Sequence, residues 1–570
     1  MNLPAITVND PDKSYSWPVL RSLQGYRLWF LSHDLVAGLT LAAIAIPEQL
    51  ATARLGGFSP QIGFFAFLAG SLAFAVFGSN RLLSSGADST ITPIFAGSLA
   101  LMAATGSPQY LVLAAVLALM VGAMLIVAGL LRLGWVADLL SQPVTIGFLA
   151  GISLHIVLSQ APSVLGVPEG AGDVYHRLFA LWSQVGAINP IAVAIGLGVF
   201  AVILIAEKLN ARIPGALIAL VGATLLTVAL GLDRRGLATL GHIPEGLPHL
   251  NLPRLGFETV VPLVGLAFVI TLVIMVQTAA TTRSFSDGEG DPDVDRDFVG
   301  VGVGSILSGL IGAFPVDASP PRTGVVSETG GQSQFAGLAA VAIVILLLVF
   351  GASLLRQIPN AALGGVLLFV ALRIIRVGQI VTIFRQSLGE FLLILLTAAA
   401  IIVLPIEQGV GIGIALSLLH GIWSTTRARV LVFERVSGTS IWWPSSSNLP
   451  GEREPGIIVA GFQAPLSFLN AYDFRRGILE ALKSSPQKPR LLVLEATGIV
   501  EIDFTAAQVL TEIIRRCHAD DVDFAVARLE SVRAQEAIAR FGVGELLGPD
   551  HVFQSVEEAI KALGNADRTG

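Results

Sequence analysis

One feature constrains this chain more than any other. From about Asp34 to Thr426, apolar runs follow one another with short turns between them. Their lengths cluster near the ~20 residues a helix needs to cross a hydrocarbon core. Lipid offers no partner for backbone N–H and C=O groups, so such runs must become helices that satisfy their own hydrogen bonds. Composition agrees: 53% of the 570 residues are hydrophobic and 13% are charged, and the mean hydropathy is +0.75. The expectation is a polytopic α-helical membrane protein of about fourteen segments. Their centres fall near Ala42, Phe67, Phe95, Leu119, Ser153, Leu197, Leu220, Ile270, Ser305, Val326, Val344, Phe369, Leu395 and Ala415. The 60 glycines suit helices that pack closely in lipid. The single cysteine, Cys517, excludes an intrachain disulfide.

The pattern divides the chain. Residues 1–33 read as a cytosolic N-terminal segment without a signal-peptide pattern, with Arg21, Arg27 and Trp29 suited to a membrane surface. Residues 34–430 read as the transmembrane domain, 431–454 as a linker with Trp442, Trp443 and a serine run, 455–566 as a small α/β domain and 567–570 as a tail. In that domain GIIVAGF, RLLVLEAT and DFAVARL look like strands. FRRGILEALKSS and AAQVLTEIIRRCHA look like amphipathic helices, with two more near Val532–Phe541 and Val556–Leu563. With the N-terminus in the cytosol, Arg81, Arg132, Lys208, Arg212, Arg373, Arg376, Arg385, Arg427 and Arg429 fall on cytosolic turns. The opposite loops Thr105–Gln109 and Pro405–Gln408 carry no base, while the long loop Gly231–Arg254, with Arg234 and Arg235, follows the rule only weakly.

Two segments break the apolar rule in the same way. SSGADSTITPIFAG, Ser84 to Gly97, and FPVDASPPRTGVV, Phe314 to Val326, each begin with Gly, Ser, Asp or Pro and then turn apolar. Such residues favour a helix N-cap or first turn, and Pro320 and Pro321 remove donors that an uninterrupted helix needs. Both segments therefore read as half-helices starting mid-membrane, where irregular backbone is tolerated only inside protein or beside a cavity. A helix N-terminus carries roughly half a positive charge and binds anions through its amides. Arg322 would add a full charge, and Ser89, Thr90, Ser319 and Thr323 would add hydroxyls. The plainer alternative is that Arg322 snorkels to an interface. One such break in each half of the chain matches the paired discontinuous helices of transporters.

Glu48 lies inside the first segment, in AIAIPEQLATARLGG. Inserting a carboxylate there costs about 2.5–3.5 kcal/mol on insertion scales, which marks a functional candidate. Protonation would remove its charge, so Glu48 is a candidate proton carrier; alternatively it pairs with Arg54 or Arg322. Asp88 reads as a cap of the first half-helix rather than a substrate contact. The acidic stretch Ser286 to Phe298 reads as a solvated cytosolic turn.

These residues resemble the sulfate permease family of anion transporters, from about Asp34 onwards. IPEQLATARLGGFSP is similar to its first-helix signature, FGSNRLLSSGADSTI to the approach to its third helix, and FPVDASPPRTGVVSETGGQSQFAGL to its tenth-helix motif. APLSFLNAYDFRRGI, LVLEATGIVEIDFTAAQVL and HVFQSVEEAI resemble the sulfate transporter and anti-sigma-factor antagonist (STAS) domain. The resemblance implies two inverted repeats of about seven segments each, arranged as core and gate domains. It also implies an elevator-like movement and a homodimer. Substrates of the family are sulfate, bicarbonate, chloride or dicarboxylates, often with H⁺ or Na⁺. The anion would sit between the amides near Ala87, Asp88, Ser89 and Thr90 and those of Ser319 to Thr323, with Arg322 and Glu48 lining the pocket. Three positions depart from the family pattern. Ala87 stands where proline is usual, Pro321 replaces a common serine, and Gln277 stands where many symporters have a carboxylate. Thr505 occupies a position phosphorylated in bacterial relatives of the domain, or else caps the following helix.

The sequence thus points to secondary transport of a small anion across a bacterial plasma membrane, with both termini and the STAS domain cytosolic. A membrane scaffold signalling to a cytosolic protein through the STAS domain, and a nucleobase permease of the same fold, are the alternatives. No metal-ligand cluster, P-loop or nucleophile–base pair appears, so no cofactor, enzymatic residue or nucleic-acid partner is expected.

Overall fold

The computed structural model describes residues 19–23, 26–139, 141–168, 174–210, 213–241, 250, 253, 256–285, 293–351, 355–445 and 451–564. Residues 1–18, residues 242–249, 251, 252 and 254 of the Gly231–Arg254 loop, residues 286–292 of the acidic stretch, the serines at 446–447 and the tail 567–570 lie outside them. The chain divides into two compact units, Met1–Leu418 and Leu419–Gly570.

The first unit opens with α1 (Phe30–Leu55), α2 (Pro60–Phe77), strand β1 (Ser85–Gly86), α3 (Thr92–Met102), α4 (Pro108–Leu130) and α5 (Gln142–Leu165). It continues with α6 (Val174–Ser183), α7 (Pro190–Leu209), α8 (Gly215–Leu230), α9 (Phe257–Val260), α10 (Val264–Ser284), α11 (Val294–Leu310), strand β2 (Asp317–Ala318) and α12 (Pro320–Glu328). Last come α13 (Phe335–Phe350), α14 (Asn360–Ile374), α15 (Val377–Gln386), α16 (Leu388–Val403) and α17 (Ile406–Thr426). Each of the fourteen expected centres falls within one of these helices. Seven described helices are long and apolar enough to cross a membrane, and α3, α8, α13 and α16 are shorter apolar helices.

The two halves repeat one plan. Each places a two-residue strand before its third apolar helix, β1 before α3 and β2 before α12. Each inserts an amphipathic helix after its fifth, α6 or α15, with hardly a buried residue, the pattern of a helix lying in an interface. Within this unit α1, α2 and α4 pack against α13 and α11, while α5 and α7 pack against α14 and α16. The α4–α11 contact depends on glycine. A Cβ at Gly122 would lie 2.6 Å from the Gly302 carbonyl oxygen, and one at Gly302 would lie 2.9 Å from that of Gly122. Backbones this close gain dispersion contacts that lipid cannot supply.

The acidic stretch differs from its expectation. Where it is described, its carboxylates are tie points rather than solvated charges. Asp293 accepts from the Arg296 amide and pairs with Arg21 at 2.8 Å. Asp295 accepts from the Gly134 amide at 2.7 Å. Asp297 is fully buried and accepts from the amides of Ser79 and Asn80 and the hydroxyls of Ser79 and Thr282. Four donors on one carboxylate offset the desolvation that its burial costs.

The second unit holds a seven-stranded sheet in the order β4-β3-β6-β7-β8-β9, with β5 also pairing β3. The strands are β3 (Val430–Val436), β4 (Trp442–Pro444), β5 (Gly451–Glu452), β6 (Ile457–Phe462), β7 (Leu491–Glu495), β8 (Asp523–Ala527) and β9 (Val552–Phe553). β6 to β9 are parallel and β3 runs antiparallel to β6. The helices are α18 (Ala471–Lys483), α19 (Phe504–Ala519), α20 (Val532–Arg540), α21 (Val543–Leu547) and α22 (Val556–Leu563). Residues 431–436, 442–444 and 451–452 of the segment expected as a linker are therefore strand. Val430 to Phe433 pair with Val459 to Phe462, and Phe433 and Trp442 join the apolar cluster beneath that face. Hydrophobic alternation is too short there to be read as strand from sequence.

Candidate anion site

The two broken segments meet through backbone. β1 and β2 form an antiparallel ladder, with Ser85 opposite Ala318 and Gly86 opposite Asp317. The Ser319 amide extends it by donating to the Ser84 carbonyl at 2.9 Å. From this ladder α3 and α12 both begin, so their N-termini adjoin one place inside the unit. The first half-helix, expected with Asp88 as its cap, starts a few residues later than that. Ser85 and Gly86 are spent on the ladder, and helix starts only at Thr92, with Pro93 in its first turn. Gly86 is required by proximity, since a Cβ there would lie 2.9 Å from Phe67.

Most of the expected amides already have protein partners. Gln49 clasps Ala87 from both sides: its Nε2 donates to the Ala87 carbonyl at 3.0 Å, and its Oε1 accepts from the Ala87 amide at 2.9 Å. Asp88 accepts from the Thr90 amide at 2.8 Å, closing a turn just before the helix rather than capping it. The Thr323 hydroxyl accepts from the Ser84 amide at 3.0 Å and donates to the Ser319 carbonyl at 2.8 Å, so it pins the crossing. Pro320 and Pro321 have no N–H. The amides of Ser89, Ile91 and Arg322 meet no protein acceptor among the described residues. The bare row of amides expected from sequence is thus a smaller set, because the crossing uses the others to hold itself together.

Charge sits at the same place. Arg322 is fully buried. Its Nη1 donates to the Ala87 carbonyl at 2.9 Å and lies 3.3 Å from Glu48 Oε1, and its guanidinium carbon is 6.0 Å from the Phe67 ring centre. Among the described residues its Nε and Nη2 have no partner, and neither do the buried oxygens Ser84 Oγ, Ser85 Oγ, Ser319 Oγ and Asp317 Oδ2. Such orphaned groups cost about 1–3 kcal/mol each, more when charged, and so many at one crossing point to a polar guest. Glu48 is paired with Arg322, one of the two arrangements the sequence left open. Ser89 and Thr90 are buried beside Asp88.

Sequence reading passed over Gln49, Ser84, Ser85 and Asp317. Gln49 carried a signal: a primary amide in an apolar helix offers a donor and an acceptor together, which is what an isolated peptide unit needs. Thr505 lies apart in the second unit, in the first turn of α19. It is not the cap: Asp503, extended at ψ 175°, accepts from the Ala506 amide.

This arrangement has relatives. The sulfate permease family matches residues 31–397. A probable sulfate transporter of Mycobacterium tuberculosis, MT1781, is 33% identical over 556 residues, covering 96% of this chain and 98% of its own length. The chain belongs to the sulfate permease family. The STAS domain family matches residues 449–559 of this permease-family chain. A putative sulfate transporter of Bacillus subtilis, YvdB, is 25% identical over 94% of this chain and 98% of its own. Among solved structures, the murine solute carrier 26 family member A9 anion transporter in its inward-facing state has the same fold, with a TM-score of 0.88 at 20% identity over 99% of this chain and 97% of that one. The transmembrane domain of the cyanobacterial bicarbonate transporter BicA gives 0.60 at 25% identity over 69% of this chain and 98% of its own. This family member is a multi-pass membrane protein with a C-terminal STAS domain. Its Gln277, on α10, is half-buried, with Oε1 unpartnered among the described residues.

Proposed function

We propose that this protein is a secondary active transporter of a small anion of the sulfate, bicarbonate, chloride or dicarboxylate class. The observation that carries the reading is Arg322: a buried guanidinium with two unpartnered nitrogens, set where two helix N-termini adjoin. A buried cation left partly unpaired is expensive, and an anion seated on Nε and Nη2 supplies the missing acceptors in a bidentate geometry. The amides of Ser89, Ile91 and Arg322, the hydroxyls of Ser89, Thr90 and Ser319 and the helix dipoles complete the shell. Thr323, Gln49 and Asp88 hold the crossing in shape. Glu48 is the resident counter-charge, and its 3.3 Å contact to Nη1 sets how strongly Arg322 attracts a guest. The named activities of the relatives, sulfate and bicarbonate transport, support the substrate class.

Translocation follows an elevator-like course. The helices bearing the site, α1 to α4 with α10 to α13, form one packing group, and α5, α7, α8, α14 and α16 form the other. The glycine-mediated backbone contacts of α4 with α11 favour rigid-body movement of the first group against the second. The basic residues on the turns support a reading with both termini and the STAS domain in the cytosol of a bacterial plasma membrane, and membership of the family supports a homodimer.

The test is uptake of radiolabelled sulfate, bicarbonate, chloride and a dicarboxylate into proteoliposomes, with and without a pH gradient. At least one is accumulated by the wild type, and Arg322→Ala lowers its uptake by about a hundredfold, the scale of losing one buried charge-assisted contact. Wild-type uptake by Arg322→Ala would remove the site from that crossing.

A further inference from the structure

Three carboxylates surround the crossing, and their situations differ. Glu48 has a guanidinium partner and keeps 12% of its side chain exposed. Asp88 is committed to the Thr90 amide. Asp317 is fully buried, on the strand β2 itself. Its Oδ1 accepts from the adjacent Ala318 amide at 2.7 Å, and its Oδ2 has no partner among the described residues. Arg322 turns Nη1 toward Ala87 and Glu48 instead. The charged groups that act on Asp317 are Asp88 and Arg322. Around β2, β1 contributes no titratable side chain, α10 has only Arg283 in its last turn, and α11 has Asp295, Arg296 and Asp297 in its first turn. An ionised carboxylate buried with one oxygen unpartnered and no ion pair is the costliest arrangement of the three.

We propose that Asp317, rather than Glu48, is the carboxylate that carries a proton with the anion. This rests on the transport reading given above. A proton from the outer aqueous phase adds to Oδ2 and converts Asp317 to the neutral acid. The O–H then serves as a donor beside the anion, and one of the three carboxylate charges at the crossing is gone. Anion and proton thereby favour each other's binding, a coupling that must be reciprocal. After the site opens to the cytosol the anion leaves, Oδ2 loses its proton to water, and the carboxylate is restored. Gln277, which cannot ionise, is not required for this cycle.

The experiment uses the full chain and measures equilibrium binding of radiolabelled sulfate, bicarbonate, chloride and a dicarboxylate between pH 5 and 8. It also measures the ratio of uptake with and without an inward proton gradient in proteoliposomes. For the wild type, affinity for the transported anion rises by about tenfold per pH unit toward acid where one proton is linked. In Asp317→Asn that slope is flat and the uptake ratio falls to about one, whatever absolute rate remains. Asp317→Glu restores the slope, and Glu48→Gln retains it. A wild-type slope in Asp317→Asn, a flat slope in the wild type, or a slope abolished by Glu48→Gln and untouched by Asp317→Asn overturns the assignment. Wild-type protein that neither binds nor moves any of the four anions would instead overturn the transport reading itself. Monodisperse elution and an unchanged melting temperature for Asp317→Asn separate these outcomes from misfolding.

Discussion

Single side chains divide here into those that build the crossing and those the crossing leaves unsatisfied. Gln49 belongs to the first kind. Gln49→Ala strands both polar groups of the Ala87 peptide, at about 1–3 kcal/mol for the lost pairing. The melting temperature of the purified protein falls, and anion affinity falls with it, because Ala87 also holds Arg322. Thr323 behaves alike: Thr323→Ser keeps the two hydrogen bonds and preserves uptake, whereas Thr323→Val breaks both and lowers it at least tenfold, about 1.4 kcal/mol. A transport assay on the pair separates a pinning hydroxyl from a methyl that merely fills space. Cys517 is a third case. Burial and the neighbouring Asp520 push its thiol up to about 11. At pH 7.5 almost none is thiolate, so a maleimide labels the unfolded chain readily and the native chain slowly. Brisk native labelling would contradict the buried position. Of these residues Thr323 and Cys517 were visible in the sequence but their roles were not, since a hydrogen-bond partner hundreds of positions away leaves no local trace.

At the scale of elements, periodicity and length carried a great deal. All fourteen apolar centres lie in helices because lipid-crossing helices are nearly context-free: length and apolarity suffice. The strand that precedes the first half-helix was not legible, for a complementary reason. Ser85 and Gly86 become strand only because Asp317 and Ala318 lie opposite them; a two-residue strand has no periodicity to read. The same applies to β3, whose partner β6 supplies its hydrogen bonds. The α4–α11 contact yields a prediction at this scale. Gly302→Leu forces side-chain atoms into the α4 backbone, where even a Cβ would sit 2.9 Å from the Gly122 carbonyl oxygen. Overpacking of this kind costs about 1–3 kcal/mol, measurable as a lower melting temperature in detergent and reduced monodisperse yield. In the second unit, Asp503→Ala removes the α19 cap, at about 1 kcal/mol, whereas Thr505→Ala costs less. Equal losses in thermal denaturation would return the capping role to Thr505.

For the whole molecule, the division into units bears on which parts are needed for flux. The transmembrane unit ends near α17, and β3 already belongs to the sheet of the second. A truncation ending at Thr426 therefore retains measurable anion flux in proteoliposomes if the protein is a transporter, and none if the STAS domain is its only output. A truncation ending at Arg435 leaves β3 as an unpaired apolar strand and aggregates more readily, which size-exclusion chromatography reports. The sequence by itself determined that this chain lives in a membrane, where its apolar segments lie, that a small α/β domain follows, and where the apolar pattern breaks. Those follow from hydrophobic length and period, which are local properties. Only the tertiary structure decided that the breaks join as a β ladder, that Gln49, Asp88 and Thr323 are consumed in holding it, and that Arg322 and Asp317 are left wanting partners. Satisfaction of a buried polar atom depends on which distant atoms fold against it, and no stretch of sequence contains that sum.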